Sequence, residues 1–215
     1  MYYVFFVGTE KESQIESFIR TFVPEELYTD CFHPLRHLRK KIRGELRDRY
    51  ERLTPGYVFV ESDRIEDFCT EAAKIPLFLK ILGRDEEGWS EGDGDYFQAL
   101  TERETDWLRR LMGQGSKGSV NNRAENERVG IERARKCQIQ FDKSSGNIGH
   151  TVELSQVGFD ENDQVIILSG PLKDLQGQIK KINLHKRIAE VEMEFLGRKT
   201  LFHLGIELLG EMTED

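Results

Sequence analysis

The chain has 215 residues, of which 38% are hydrophobic and 33% are charged, and its formal net charge at pH 7 is -8. These values predict a globular cytoplasmic protein with one large or two small domains, and they argue against a general coating of nucleic acid. No apolar run approaches the length that crosses a bilayer, so no membrane association is expected, and the apolar start MYYVFFVG lacks the basic flank of a signal peptide. The three cysteines, Cys31, Cys69 and Cys137, indicate neither a disulfide framework nor a CxxC zinc site.

The first elements predict a strand followed by a helix. Residues Tyr2 to Val7 are aromatic or β-branched, as is typical of a strand. Apolar residues then recur at helical spacing between Glu10 and Val23, and Pro24 ends the segment. The pattern therefore predicts an amphipathic helix that packs on the first strand.

A basic stretch lies within the next region, Asp30 to Glu61, whose pattern indicates extended structure. Between Arg36 and Arg52 it carries eight Lys or Arg against three Asp or Glu, and Gly44 provides a turn. Two interpretations stay open. The stretch is either a solvated hairpin or a protruding finger whose cations contact phosphates.

The segment LTPGYVFVE, from Leu53 to Glu61, predicts a turn that leads into an apolar strand. Ser62 or Asp63 is expected to cap a second helix that Pro76 ends, and residues 77–82 predict a further strand. This order of elements predicts an α+β fold with helices packed against one sheet, as in the split βαβ arrangement.

Residues 84–106 are strongly acidic. Glu91, Asp93, Asp95 and Glu102 fall at positions 1, 3, 5 and 12 of a calcium loop, but Tyr96 occupies the position that requires glycine. We therefore interpret this segment as a solvated acidic loop.

The end of the first domain is marked by a helix signal and a change of composition. Thr101 and Glu104 have the spacing of a capping box, which predicts a helix that carries Trp107. We place the first domain at residues 1–113. Residues 114–152 have the composition of a flexible linker, with a short strand at residues 136–141.

The last segment, residues 153–215, predicts a small all-β domain. Gly170-Pro171 ends an apolar run from Val165 to Leu168, and apolar residues then alternate with glutamates from Ala189 to Phe195 before the turn at Gly197. Basic residues lie at or beside the turns, which is an arrangement that can follow a phosphate backbone, although ordinary solvated turn lysines would give the same pattern.

Several of these motifs in order resemble one family. The segment from Pro55 to Val60, the Gly170-Pro171 and Gly177 turns, and the run from Gly197 to Thr200 are similar to those of the NusG transcription elongation factors. By this resemblance the first domain is an α+β NusG N-terminal domain with a split βαβ, ferredoxin-like sheet. The last domain resembles a KOW domain, an all-β SH3-like barrel joined through the long linker.

The resemblance also implies partners for the first domain. NusG N-terminal domains bind the clamp helices of RNA polymerase and span the DNA cleft, which implies a monomer that acts on the polymerase. Aromatic anchors on a sheet suit such an interface. The residues expected to contact the polymerase are Leu53, Tyr57, Phe59, Phe78 and Leu79. The residues expected near non-template or upstream DNA are Arg39, Lys40, Lys41 and Arg43.

The segment GPLKDLQGQIKKI followed by NLHKR resembles the specialised LoaP-type members more than the general factor. That resemblance implies processive antitermination of long operons, with the KOW turns bound to a hairpin in the nascent leader RNA. RNA duplexes offer phosphates and 2′-hydroxyls to such turns. The expected RNA-binding residues are Lys180, Lys181, His185, Lys186, Arg187, Arg198 and Lys199.

No catalytic constellation, cofactor motif or metal cluster is found in the sequence, which predicts a non-enzymatic regulator without a cofactor. Three alternatives stay open. The chain is a general NusG whose KOW domain binds a ribosomal protein or a termination factor, an enzyme that uses the acidic loop, or a relative whose KOW segment switches to a helical hairpin.

Overall fold

The computed structural model describes residues 1–75, 97–113 and 150–209. The predicted strands at 77–82 and 136–141, the calcium-spaced residues Glu91, Asp93 and Asp95, and Cys137 lie outside these ranges. In chain order the elements are β1 (Tyr2–Phe6), α1 (Glu12–Phe22), β2 (Asp30–Phe32), β3 (Leu35–Ile42), β4 (Glu45–Arg52), β5 (Tyr57–Glu61), α2 (Ile65–Ala72), β6 (Phe97–Ala99), α3 (Glu102–Leu111), β7 (Thr151–Val152), β8 (Ser155–Phe159), β9 (Val165–Ser169), β10 (Ile179–Asn183), β11 (Ile188–Phe195) and β12 (Arg198–Leu208).

The described residues divide into two compact units. The first contains residues 1–33, 54–75 and 97–105, together with His150. The second contains residues 34–53, 106–113 and 151–209. The β3–β4 hairpin therefore belongs to the same unit as the C-terminal strands.

The first unit is a four-stranded antiparallel sheet in the order β2-β5-β1-β6. Helix α1 connects β1 to β2, and α2 follows β5, which is the split βαβ arrangement. Helix residues Ile15, Ile19 and Phe68 pack with Phe5 and Val60 of the sheet in one buried cluster. This confirms the α+β fold with helices against one sheet.

The end of α1 and the start of α3 lie where the local sequence signals predicted them. Helix α1 ends before Pro24, as predicted. Helix α3 carries the predicted capping box, because the Thr101 amide donates to Glu104 Oε2 over 2.8 Å and the Glu104 amide donates to Thr101 Oγ1 over 3.2 Å.

The predicted cap of α2 is wrong. The residue at the N-cap is Arg64, and no side chain caps the helix. The Ser62 hydroxyl instead donates to the Leu27 carbonyl over 2.6 Å and accepts the Arg64 amide over 2.9 Å. The Ser62 side chain thus makes a tertiary contact instead of capping the helix. Sequence spacing does not reveal such a contact.

The second unit is all-β apart from the end of α3 and a short 3₁₀ segment. Its larger sheet has the order β10-β11-β12-β8-β9, and its smaller sheet has the order β4-β3-β7. Strand β12 pairs in parallel with β8 over Ile206–Leu208, so the C-terminal strand closes the curled sheet against its first strand. This confirms the predicted all-β, SH3-like domain, and the segment from Ile179 to Leu208 is β structure rather than a helical hairpin.

The alternation along β11 is confirmed. Ala189, Val191, Met193 and Phe195 are buried, and the glutamates between them lie on the outer face. On β12, Phe202 and Leu204 are buried opposite them. Within the described residues, no helix is long and apolar enough to cross a membrane.

Candidate binding surfaces

The segment Pro55-Gly56-Tyr57 shapes one surface of the first unit. Gly56 has a φ of +88°, and a Cβ at this position would lie 3.0 Å from the Phe6 ring. The Gly56 amide donates to Glu12 Oε1 over 2.6 Å, and its carbonyl accepts the Val7 amide over 2.8 Å. Glycine therefore lets the Phe6 ring lie directly over the start of β5.

Phe6 and Tyr57 form an accessible aromatic pair on this surface. They are opposite each other in the β1–β5 register, and their ring centroids are 5.4 Å apart. Phe6 is 59% exposed and Tyr57 is half-buried. Of the predicted polymerase-contact residues, Tyr57 is thus the one that the described structure places at the surface.

The other predicted contact residues lie elsewhere. Phe59 is 0% exposed and stacks on Phe32 at 5.4 Å, and Phe32 in turn stacks on His150 at 3.8 Å. Leu53 is also buried, while Phe78 and Leu79 fall outside the described residues. His150 Nε2 lies 2.7 Å from Asp30 Oδ2, which holds the imidazole over this aromatic stack.

The base of the β3–β4 hairpin is an ion-pair network. Arg39 Nε lies 2.9 Å from Asp48 Oδ1, and the Arg39 guanidinium also contacts Glu207 of β12. His37 Nδ1 lies 2.9 Å from Glu153 Oε2, and its Nε2 lies 3.1 Å from Asp48 Oδ1. These contacts tie the hairpin to the C-terminal strands of the same unit.

Two further cations complete the network. Arg36 lies 3.1 Å from Glu51 Oε2 and donates to the His203 carbonyl over 3.1 Å. Lys40 pairs with Glu51 as well. Arg39 and Lys40, two of the four residues expected near DNA, are therefore already paired with carboxylates.

The network shifts the titration of its members. Burial lowers the pKa of His37, but hydrogen bonds to Glu153 and Asp48 outweigh burial and raise it overall. Burial raises the pKa of Asp48, but Arg39 and His37 outweigh that effect and hold it below its ordinary value. The charged forms of His37 and Asp48 stabilise each other.

The tip of the hairpin differs from its base. Lys41 and Arg43 are exposed, and neither has an ion-pair partner among the described residues. Arg49 is exposed as well, but it lies opposite Leu38 at the base of the hairpin. Arg43 and Gly44 form the turn with positive φ values of 53° and 92°. Lys41 and Arg43, the other two residues expected near DNA, are thus available to a ligand.

The predicted RNA-binding residues divide between the two ends of β11. His185, Lys186 and Arg187 form the turn before Ile188, whereas Arg198 and Lys199 follow the turn after Phe195. The eight residues of β11 separate these turns by roughly 23 Å at about 3.3 Å per residue. The structure therefore does not gather the seven residues into one cluster.

Accessibility differs within each group. His185, Lys186, Arg198 and Lys199 are exposed, but Arg187 is only 9% exposed, and its carbonyl accepts the Ile206 amide over 3.0 Å. Lys186 is thus the more accessible member of the Lys186-Arg187 pair.

A stripe of three glutamates runs along the outer face of β11 between the two turns. Glu192 pairs with Lys180 at 3.1 Å, while Glu190 is opposite Lys181 and Glu194 is opposite Lys199. Opposite charges across neighbouring strands stabilise a sheet, which gives these three lysines a role without any ligand.

Sequence reasoning missed Phe6, Arg49 and the two carboxylates Glu153 and Glu207. Phe6 belongs to an apolar run in which nothing distinguishes the exposed side chain, and the carboxylates are more than 100 residues from the hairpin that they bind. Arg49 was within the basic stretch, and its alternation with Asp48 and Tyr50 could have placed it on an exposed face. Within the described residues, no group of His, Cys, Asp or Glu could hold a metal ion.

Comparisons with known proteins add one motif and one structural likeness. The sequence model of the KOW motif matches residues 161–194, which cover β9 to β11. A search of curated proteins finds no match. A solved structure described as "Domain interaction in Thermotoga maritima NusG" aligns with 18% identity and a TM-score of 0.43, over 95% of this chain and 92% of that one.

Proposed function

We propose that this chain is a NusG-type transcription elongation regulator of the cytoplasm, specialised as a LoaP-like processive antiterminator. It binds the clamp helices of RNA polymerase through its first unit and a hairpin in the nascent leader RNA through its KOW domain. The observation that carries the proposal is the order of parts: a split βαβ sheet with Pro55-Gly56-Tyr57 at the start of β5, followed by an all-β sheet with a KOW motif. This is a pair of binding modules, and the protein acts as a monomeric factor rather than as an enzyme.

The proposed polymerase contact centres on Tyr57 and Phe6. Exposed aromatic pairs on a rigid sheet bury apolar area with little loss of side-chain freedom, as is typical of interface hot spots. Phe59, two residues further along β5, is buried and supports this strand from within, and Leu53 is buried as well. Phe78 and Leu79 remain proposed contacts from outside the described residues.

The polymerase contact can be tested with the double substitution Phe6→Ala and Tyr57→Ala in the full chain. We expect affinity for core RNA polymerase to fall on the order of 30-fold, which corresponds to about 2 kcal/mol. Phe22→Ala is the matched control, because Phe22 is an exposed aromatic residue on α1. Unchanged affinity in the double variant, or an equal loss in the control, would place the interface elsewhere.

The proposed RNA contact centres on Lys186, which is exposed at the β10–β11 turn. Because phosphate contacts release counterions, binding of an operon-leader RNA hairpin should weaken steeply as salt rises. Lys186→Ala should reduce the slope of log affinity against log salt by about 1. Binding that does not depend on salt, or that is absent, would contradict the antiterminator assignment.

One observation favours the general factor as a second candidate. Ile166 and Leu168 are 38% and 39% exposed on the edge strand β9, and Leu209 is exposed as well. Exposed apolar residues on an edge strand suit a protein partner, such as a ribosomal protein or a termination factor. Ile166→Asp should abolish such binding and leave RNA binding unchanged if this candidate is correct.

A further inference from the structure

The hairpin and the β10–β11 turn meet at one residue, Gly205 of β12. Ile188, which directly follows the turn, pairs with Gly205 in the β11–β12 register. A Cβ at Gly205 would lie 2.2 Å from the His37 carbonyl oxygen, so β3 crosses the sheet in direct contact with this glycine. The backbones of the hairpin and of the turn therefore flank the same position.

The ion pairs fix the direction of the hairpin along β12. Arg36 contacts residue 203, His37 contacts residue 205, and Arg39 contacts residue 207. The contacts progress in the same sense along both strands, so β3 runs beside the second half of β12. The β10–β11 turn ends beside this part of β12, and the hairpin tip extends beyond these contacts.

Exposed cations without an ion-pair partner among the described residues lie on both the hairpin tip and the turn: Lys41, Arg43 and Lys186. The carboxylates of the β8–β9 turn, Asp160, Glu161 and Asp163, lie at the same end of the larger sheet but on the other side of β12 from the β10–β11 turn. Glu45, the acidic residue of the tip, pairs with Arg47 at 3.0 Å. The glutamate stripe of β11 disfavours a polyanion on the rest of the outer face.

We propose that the hairpin tip and the β10–β11 turn form one composite surface for the phosphate backbone of duplex RNA, made of Lys41, Arg43 and Lys186. This inference rests on the proposed function, and it assigns the hairpin to the RNA that the KOW domain binds instead of to DNA. The distance from His37 to Arg43 is roughly 20 Å in extended structure, at about 3.3 Å for each step from one residue to the next. That length exceeds the spacing between neighbouring phosphates, so the surface suits a continuous backbone rather than a single phosphate.

Duplex RNA is the ligand that this surface fits best. Its bases are not readable from the deep major groove, so proteins recognise it through shape, phosphates and 2′-hydroxyls. A paired stem is therefore expected to bind more tightly than an unpaired strand.

The test uses the full chain and a fluorescent leader-RNA hairpin, titrated at several salt concentrations. Arg43→Ala and Lys186→Ala should each lower affinity by roughly fivefold and reduce the salt slope by about 1, since each removes one phosphate contact. Lys173→Ala is the matched control, because Lys173 is an exposed lysine of the 3₁₀ segment Pro171–Gln178 and belongs to neither the hairpin nor the β10–β11 turn. It should change affinity by less than about twofold.

The outcomes separate the inference from the function on which it rests. A loss with Lys186→Ala but none with Arg43→Ala overturns the composite surface and leaves the proposed RNA binding intact. No loss with either variant overturns the composite surface, whereas absent or salt-independent binding by the unsubstituted chain contradicts RNA binding itself. Equal binding of a DNA duplex of the same sequence, lost in the same variants, overturns the assignment to RNA.

Gly205→Val tests whether RNA binding by the hairpin depends on its packing against β12. The added side chain must displace the His37 carbonyl, so Arg43→Ala should have no further effect in this background while Lys186→Ala keeps its effect. If circular dichroism shows that Gly205→Val does not fold, the double variant Glu153→Gln and Glu207→Gln is used instead. It weakens the ion pairs that hold the hairpin against the C-terminal strands and adds no volume. A full effect of Arg43→Ala in the folded background overturns the composite surface.

Discussion

The two units hold their strands in place by different means. In the first unit, Phe5, Phe32, Phe59 and Phe68 are all 0% exposed, and the sheet is stabilised by buried aromatic area. In the second, the base of the hairpin is held by ion pairs with four carboxylates. They are Asp48 and Glu51 of β4, Glu153 between β7 and β8, and Glu207 of β12. Burial of apolar area depends little on salt or protonation, whereas ion pairs depend on both. The first unit should therefore respond to loss of volume and the second to solution conditions.

The largest expected effect is that of Phe59→Ala in the first unit. Deletion of a fully buried ring costs about 3–5 kcal/mol, from lost transfer free energy and from the cavity left beside Phe32. Urea unfolding measures the loss, and Tyr57→Ala on the same strand is the control, with a smaller cost because Tyr57 is half-buried. An equal cost for both variants would contradict the aromatic account of this unit.

The second prediction concerns pH in the second unit. Since the folded-state pKa of His37 is raised, its contribution is fully present below the unfolded pKa near about 6.5 and is lost as pH rises through the folded value. Since the pKa of Asp48 is lowered, its contribution is present above its unfolded pKa and is lost as pH falls. Both contributions are fully present between the unfolded pKa of Asp48, near about 3.9, and the unfolded pKa of His37, near about 6.5.

His37→Gln should remove the part of the stability that falls as pH rises from about 6.5. Urea midpoints of the native chain and of the variant, measured from pH 6 to pH 8, give the comparison. His185→Gln is the control, because His185 is exposed on a turn. A pH dependence that persists unchanged in His37→Gln would show that the hairpin base does not titrate in this way.

Thr101→Ala removes one half of the capping box on α3. We expect a loss of about 1 kcal/mol, which is typical of an N-cap threonine, because the Glu104 amide loses its acceptor. Thermal unfolding measures it, and Thr70→Ala on α2 provides a helix threonine that caps nothing and is exposed. A larger loss in Thr70→Ala would show that the box contributes little.

The smallest effect is expected at the Lys180–Glu192 pair of the second unit. Both side chains are more than 30% exposed, so a double-mutant cycle to alanine should give a coupling below about 1 kcal/mol that vanishes in high salt. A larger coupling that survives salt would mean that ion pairs in this unit are effectively desolvated.

Local patterns in the sequence predicted local structure well. Helical spacing located α1, the alternation of apolar residues and glutamates predicted the faces of β11, and Thr101 with Glu104 predicted the start of α3. In each case the residues that decide the structure lie within one strand or a few turns of each other. The α+β architecture follows from the same signals.

The surfaces were harder to predict, because they depend on contacts between distant residues. Alternation placed Phe59 and Tyr57 on one face of β5 but could not show that Phe59 is stacked beneath Phe32. The basic composition of the hairpin could not show that Arg39 is paired with Glu207, 168 residues away. Composition gives the number of charges, while only the fold determines which of them remain unpaired.

The long separation of the hairpin from its partners also constrains how the molecule is made. Strand β3 pairs with β7, and Arg39 pairs with Glu207, so these contacts form only after residues 151 and 207, respectively, have been synthesised. Non-local strand pairing is slow, and chains that emerge from the ribosome fold N-terminal parts first. During translation the hairpin therefore precedes Glu153 and Glu207, and until they are made His37 and Arg39 share Asp48 of the hairpin as their carboxylate partner.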